Sequence, residues 1–378
     1  MTDLVVMSLE RWDEVWRRNQ HLVAGLCRRD PLLRVLFVEP AADPLFDLSR
    51  RRRPRVGRGL EESPEPELRG RLWTYQPTKP LPRRLDPASD RRTARAVERT
   101  ARRLGFHRPV LWVNDPGGAV LLQRSGWPAL YDITDDWLEA DRTPAEHDRL
   151  VEHEGVLMRR CAEVVVCSPT LQAVKGVVRP VTLIPNAVDV ASYRTPRPRP
   201  ADLPGGATAL YLGTVHRDRI DVDLCVSTAA ALASDARLVL VGPAPLAAAD
   251  RAALEAAGVV LLGARPAAQV AAYLQHADVL VVPHVVTPFT LSLDPIKRYE
   301  YAAVGRPVVS TPVTGFVDAA DPRVTVAGPE GFPAAVRAAL RTAAPFPAGA
   351  DLPVDGWDER VGRMAEVIER VRRAARPR

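Results

Sequence analysis

Short apolar runs recur along this chain, separated by stretches whose apolar residues follow helical spacing. In the first half the runs lie at residues 3–9, 33–38, 110–113, 129–133, 164–167 and 181–184. In the second half they lie at 209–212, 238–241, 259–262, 279–282 and 308–310. Runs of this kind, apolar on both faces and alternating with helices, are what parallel sheets with helices on each side require. The rhythm breaks once: between Asp189 and Gly206 the chain becomes proline-rich and aperiodic, as a semi-rigid linker would be. The pattern predicts an α/β chain with a first domain over 1–190, a linker over 191–206, a second domain over 207–355 and a final helix over 356–378.

One segment, residues 292–311, carries more chemistry than any other. Asp294 is a good N-cap and Pro295 suits the first helical turn, so a helix is expected to open there with its amides pointing outward. Such an end attracts phosphate, which would place Ser292, Asp294 and Ile296 against a bound anion. Ile296, Tyr299 and Ala303 fall on a core-facing stripe, leaving Lys297 and Glu300 one turn apart on a neighbouring stripe. Gly305 stops the helix, and Val308 to Thr311 continues as a buried strand. A nucleoside diphosphate needs both charges: a cation and N–H donors for its phosphates, and a carboxylate for its two ribose hydroxyls. The same spacing also fits a solvated i, i+3 ion pair.

Here the residues resemble a family. The segment is similar to the donor-site helix of retaining glycosyltransferases of family 4, in the branch that serves cell-wall polymer and natural-product pathways. Other matches follow in order: Tyr-Asp-Ile-Thr-Asp-Asp-Trp at 131–137, Ile-Pro-Asn-Ala-Val-Asp at 184–189, Tyr-Leu-Gly-Thr-Val at 211–215, Ala-Asp-Val-Leu-Val-Val-Pro at 277–283 and Trp-Asp-Glu-Arg at 357–360. The resemblance implies the GT-B fold: two Rossmann-like doubly wound domains facing a central cleft, with the C-terminal helix crossing back to the N-terminal domain. It implies Lys297 as a catalytic cation, with Arg217 and Arg219 clamping the diphosphate from the loop that begins at Gly213 and Thr214. It implies Glu300 on the ribose, and places the loop around Arg265 at the base, which relatives hold through backbone groups. The acidic loop would bring Asp132, Asp135 and Asp136 to the cleft, although Thr134 or Asp135 could equally cap a helix starting near Trp137.

Three departures from the family pattern stand out. Ser292 occupies the position of a second donor-site glutamate. Residues 8–16 replace the glycine-rich loop after the first strand, and no histidine follows the strand ending at Tyr131.

Composition narrows the setting. The 378 residues exceed what one core usually supports, and 52 basic against 46 acidic residues give a net charge of +6, suited to a polyanionic ligand or an acidic membrane surface. Arg91, Arg95, Arg99 and Arg103 recur along one helix and could meet such a surface, while the basic segment 49–58 reads as a surface loop. Cys27, Cys161, Cys167 and Cys225 lack metal-binding or paired spacing, no signal peptide is evident and no apolar run approaches bilayer length. The expected location is cytoplasmic, with peripheral membrane contact as an option. Asp221 and Asp223 form a short acidic pattern also used for metal elsewhere, but at the start of a predicted helix; no metal and no cofactor are expected. With aromatics at 6%, stacking platforms are scarce and nucleic-acid binding is not expected. The expected activity is transfer of a sugar from a nucleotide diphosphate sugar to a small-molecule or lipid-linked hydroxyl acceptor. Alternatives are a sugar-nucleotide epimerase or hydrolase on the same scaffold, or a non-catalytic nucleotide-binding partner protein.

Overall fold

The computed structural model describes residues 2–49, 51–81, 83, 85–140, 142–233, 235–343 and 353–375. They form two compact units, one from residues 1–185 with 357–378 and the other from 186–356. The first unit holds β1 (Asp3–Met7), β2 (Arg34–Val38), β3 (Gly59–Glu62), β4 (Leu72–Gln76), β5 (Val110–Val113), β6 (Ala129–Ile133), β7 (Glu163–Val166) and β8 (Thr182–Leu183). These strands lie in the order β3-β4-β2-β1-β5-β6-β7-β8. All neighbours are parallel except β3, which runs antiparallel to β4 at the edge. The second unit holds β9 (Ala207–Leu212), β10 (Ala236–Val241), β11 (Val260–Gly263), β12 (Val279–Val282), β13 (Val308–Ser310) and β14 (Val324–Val326), in the order β11-β10-β9-β12-β13-β14. In each sheet the chain starts in the middle, builds outward to one side and then returns to the other. This is the doubly wound arrangement, with its crevice where the direction reverses.

The predicted apolar runs become strands within a residue or two. β4, β3 and β14 were not among them. β4 (Leu-Trp-Thr-Tyr-Gln) alternates buried and half-buried residues near the sheet edge, and its polar members hide it from a search for continuous apolar runs.

The proline-rich stretch is a correction. It does not link the units but belongs to the second one, because Gln275 secures it: its Nε2 donates to the carbonyls of Tyr193 and Thr195 at 2.8 Å each, and its Oε1 accepts from the Arg197 amide at 2.8 Å. A short helix, Val190–Arg194, starts there under the Asp189 cap. The C-terminal helix Trp357–Ala374 belongs to the first unit. It crosses the helix Arg18–Arg29 at Gly25, where an added Cβ would meet Val361 at 2.4 Å. His21 stacks on Trp357 with ring centroids 4.7 Å apart.

The acidic loop is the second correction. Asp132 is fully buried and accepts from Arg18 Nε at 3.2 Å, Arg18 Nη2 at 3.0 Å and Trp112 Nε1 at 3.2 Å. Asp136 is buried against Lys175 at 3.0 Å, and Lys175 also reaches Glu154 at 2.7 Å. No helix begins near Trp137; the next one is Pro144–Arg160. Asp132 lies in β6, whose five residues are all buried, so its carboxylate needs the buried Arg18 as its partner. Removing one partner from a buried pair of this kind costs about 3 to 5 kcal/mol. Asp132→Ala is therefore expected to lose that much stability in urea denaturation; a loss below about 1 kcal/mol would mean that water already solvates the pair.

Candidate functional site

The second unit brings the predicted donor residues together at the carboxyl ends of its central strands, β9 and β12. The helix Ile296–Val304 starts at Pro295 without a side-chain cap and ends at Gly305 in the left-handed conformation, φ 79°. Asp294 is therefore not the cap. It is buried, and its carboxylate accepts from the Asn186 amide at 2.6 Å and from the Tyr299 hydroxyl at 3.1 Å. These bonds tie the turn before the helix to the loop at Asn186. Ser292 is likewise buried, its hydroxyl donating to the Phe289 carbonyl at 2.8 Å. Ile296 is only half-buried; Tyr299, Tyr301, Ala303 and Val304 supply the core face instead.

Lys297 lies over the ring of Tyr211, its Nζ 4.7 Å from the centroid, and donates to the Tyr211 hydroxyl at 3.2 Å. That hydroxyl also stands 3.3 Å from His284 Nε2 and 3.3 Å from the Thr214 carbonyl. Tyr211 is the last residue but one of β9 and His284 follows β12 by two residues, so two strands and one helix converge on a single oxygen. Gly213 makes the approach practicable. It adopts φ 141°, and a Cβ there would lie 2.9 Å from the Tyr211 hydroxyl and 3.2 Å from Lys297 Nζ. The neighbouring Gly242 is tighter still, since a Cβ would meet the Gly213 carbonyl at 2.1 Å.

Glu300 turns a different way. Its Oε1 accepts from the Tyr193 hydroxyl at 2.5 Å, and no ion pair within 4.0 Å joins it to Lys297 among the described residues. The plain i, i+3 salt bridge is not formed. Burial raises the Glu300 carboxyl above the usual range, opposed by the Tyr193 hydrogen bond and by Lys297. Burial pushes Lys297 down to about 8, with Glu300 opposing and Arg219 reinforcing the shift. Burial also holds His284 well below its ordinary value, with Lys297 and Arg219 adding to the effect, so its ring is neutral.

The two loop arginines separate. Arg219 stays by the site, its guanidinium 5.7 Å from the Phe289 ring centroid. Arg217 is exposed and pairs with Asp250 at 2.5 Å. Thr214 is exposed and offers its backbone to the Tyr211 hydroxyl. Arg265 is taken up by Asp202, by Tyr273 Oη at 2.8 Å and by the Ala264 carbonyl at 3.0 Å. Asp221 caps the helix Val222–Leu232, accepting from the Leu224 amide at 2.9 Å, which accounts for the short acidic pattern.

Three residues were missing from the sequence-based set: Tyr211, His284 and Tyr193. Only Tyr211 carried a signal, a polar tip at the end of an apolar strand. In the first unit a fourth residue stands out. Glu10 follows β1, and its Oε2 is buried with no hydrogen-bond partner among the described residues. Burial raises its carboxyl to about 7, with Arg17 pulling down and the half-buried Asp135 pushing up.

The reversal point of this doubly wound sheet thus gathers a half-buried ammonium, an arginine and two glycines without side chains, at the place where ligands bind in such sheets. Residues 206–342 match the family described as Glycosyl transferases group 1. Solved structures of the same fold span nearly the whole chain. Sucrose-phosphate synthase from Thermosynechococcus elongatus superposes with a TM-score of 0.73 at 18% identity, covering 99% of this chain and 100% of that one. Anabaena HepE in complex with UDP and glucose gives 0.63 at 14%, covering 98% and 99%. The catalytic domain of Starch Synthase IV from Arabidopsis thaliana, bound to ADP and acarbose, gives 0.65 at 11%, covering 98% and 99%. At these identities the likeness is one of fold. No curated protein sequence matches the chain. The matched segment and the GT-B fold together make this protein a glycosyltransferase, an enzyme of sugar transfer.

The shifted lysine yields a pH test. Unfolded, Lys297 keeps its proton to about 10.5, whereas folded it releases it near 8. Between those values the unfolded state binds more protons, so this residue makes stability rise with pH across that window. Lys297→Met is expected to flatten the rise, measured as urea midpoints on either side of the window; an unchanged slope would show that Lys297 titrates normally.

Proposed function

We propose that the chain moves a hexosyl group from a nucleoside diphosphate sugar to an acceptor hydroxyl, with retention at the anomeric carbon and without a metal ion. The observation that carries this reading is the Lys297 ammonium. It is held against Tyr211 at the crevice, with the nearby Glu300 engaged by Tyr193 instead. Breaking the bond between the anomeric carbon and the diphosphate leaves negative charge on the leaving group, and fixed cations and amides stabilise that charge best. Lys297 and Arg219 supply it here, together with the uncapped start of the helix Ile296–Val304. Diphosphate entry would also relieve the cost of a half-buried ammonium. The solved relatives with UDP, UDP-glucose or ADP bound support a nucleotide donor.

In this reading Glu300 accepts from the ribose hydroxyls, held in place by the Tyr193 hydroxyl, and the backbone at residues 263–265 meets the base. The neutral His284 keeps the Tyr211 hydroxyl beside the lysine without adding a competing charge. On the first unit Asp135, with Glu10 beside it, orients the acceptor, which is a small molecule or a lipid-linked one. No carboxylate is assigned as a nucleophile.

Lys297→Ala is expected to lower turnover by roughly 10² to 10³, the scale of one lost charge-stabilising donor. Glu300→Gln should instead weaken nucleotide binding by roughly tenfold to a hundredfold, with a smaller effect on turnover at saturation. Calorimetric titration with UDP and ADP, alongside product formation from their glucose conjugates, separates the two. A folded Lys297→Ala protein that retains turnover within about threefold would remove the lysine from the mechanism.

A further inference from the structure

We propose that the first unit docks on an anionic lipid bilayer through the face made by the helix Pro44–Ser49 and the arginine-rich segment at residues 51–58. That helix turns its apolar side chains outward: Phe46 is 51% exposed and Leu48 52%, with Leu45 exposed beside them. Val56 follows at 72%. Scattered apolar residues on a surface are ordinary, but a group this dense on one short element marks an interaction site.

Asp47 explains why the side chains point this way. It is the buried member of the helix, and it accepts from the Arg55 amide at 3.2 Å and the Arg55 guanidinium at 3.1 Å, while its carbonyl accepts from the Arg52 amide at 2.8 Å. These bonds fold the segment back against the helix. Arg51 makes the reversal in the left-handed conformation, φ 54°, where glycine would be less strained. Phe46 and Val56 then rim one open cavity of about 490 Å³ together with Arg11, Arg52, Arg55 and Arg58; Asp13, Asp43 and Asp47 also line it, each already paired, with Arg17, Lys79 and Arg55. The face is anchored to the sheet by the Gly57 amide on Thr78 Oγ1 at 2.8 Å and by the Lys79–Asp43 pair at 2.9 Å.

The charge around the apolar group identifies the occupant. Arg55 pairs with Asp47, and Arg58 with Glu39 and Glu61. Arg51, Arg52 and Arg53 are exposed and have no carboxylate within 4.0 Å among the described residues. An anionic bilayer satisfies both halves, taking the apolar side chains below its headgroups and the guanidinium groups at its phosphates. Nucleic acid would use the arginines but leave Phe46, Leu48 and Val56 in water. A second copy meeting face to face would oppose arginine to arginine. The arginines expected from the sequence to meet a membrane are less suited. On the helix Ser89–Arg103, Arg91, Arg95 and Arg99 are exposed, but the apolar Ala94, Val97 and Ala101 are buried, so nothing is left to insert.

The test uses the full chain without donor, so its outcome is independent of the glycosyl-transfer reading. Flotation with phosphatidylcholine vesicles, with or without about a third phosphatidylglycerol, is expected to show binding to the anionic vesicles at least tenfold tighter, weakening with salt. Arg52→Gln with Arg53→Gln should reduce that binding by roughly thirtyfold. Phe46→Ser with Leu48→Ser should reduce it by about tenfold or more. Arg91→Gln with Arg95→Gln should leave it unchanged, and urea midpoints check that every variant is folded. The proposal is overturned if wild type ignores anionic vesicles, if Phe46→Ser with Leu48→Ser binds them as wild type does, or if the Arg91 and Arg95 variant loses as much. Competition by millimolar inorganic phosphate would also overturn it, assigning the arginines to a soluble phosphate instead.

Discussion

An ammonium held against a tyrosine ring, with the nearest carboxylate on its own helix engaged elsewhere, is costly to keep charged, and the second unit is arranged around that cost. Lys297 is 3.2 Å from the Tyr211 hydroxyl, while Glu300 one turn on is bonded to Tyr193. Had the two formed a surface ion pair, each would have neutralised the other and neither would be available to a ligand. Instead each has a hydroxyl of its own, Tyr211 for Lys297 and Tyr193 for Glu300. Tyr193 lies on the helix Val190–Arg194, so the proline-rich stretch contributes to the site by being fastened to the second unit through Gln275.

Backbone shape matters here as much as charge. The lysine can reach Tyr211 because Gly213 has no Cβ, and Gly213 can lie where it does because Gly242 beside it has none. Gly213 follows β9, at the point where the winding reverses, and Gly242 follows its neighbour β10. The helix after β12 then has one course available to it, and Gly305 ends it in time for β13 to return to the sheet.

The first unit repeats the architecture and uses it differently. At the end of its central strands the polar groups are mostly satisfied among themselves: Asn19 reaches Asn114 at 2.8 Å, Asn114 reaches the Asp132 carbonyl at 3.1 Å, and Arg18 holds the Asp132 carboxylate. Among the described residues, Glu10 Oε2 and Asn19 Oδ1 are buried there without a hydrogen-bond partner. An acidic cluster that reads as a site in sequence thus becomes largely structural once a basic helix packs over it.

The amino-acid sequence alone determined the two-sheet layout, because strands buried on both faces need unbroken apolar runs and those runs are visible without coordinates. It also determined that Lys297 and Glu300 share a helix ended by Gly305, since helical spacing and a glycine stop are local properties. Tertiary structure decided which charges remain open. Asp132 and Arg18 are 114 positions apart, Glu300 and Tyr193 are 107 apart, and Arg217 meets Asp250 across 33. No local pattern encodes such pairings, and they alone separate a carboxylate or guanidinium that binds ligand from one that holds the fold together.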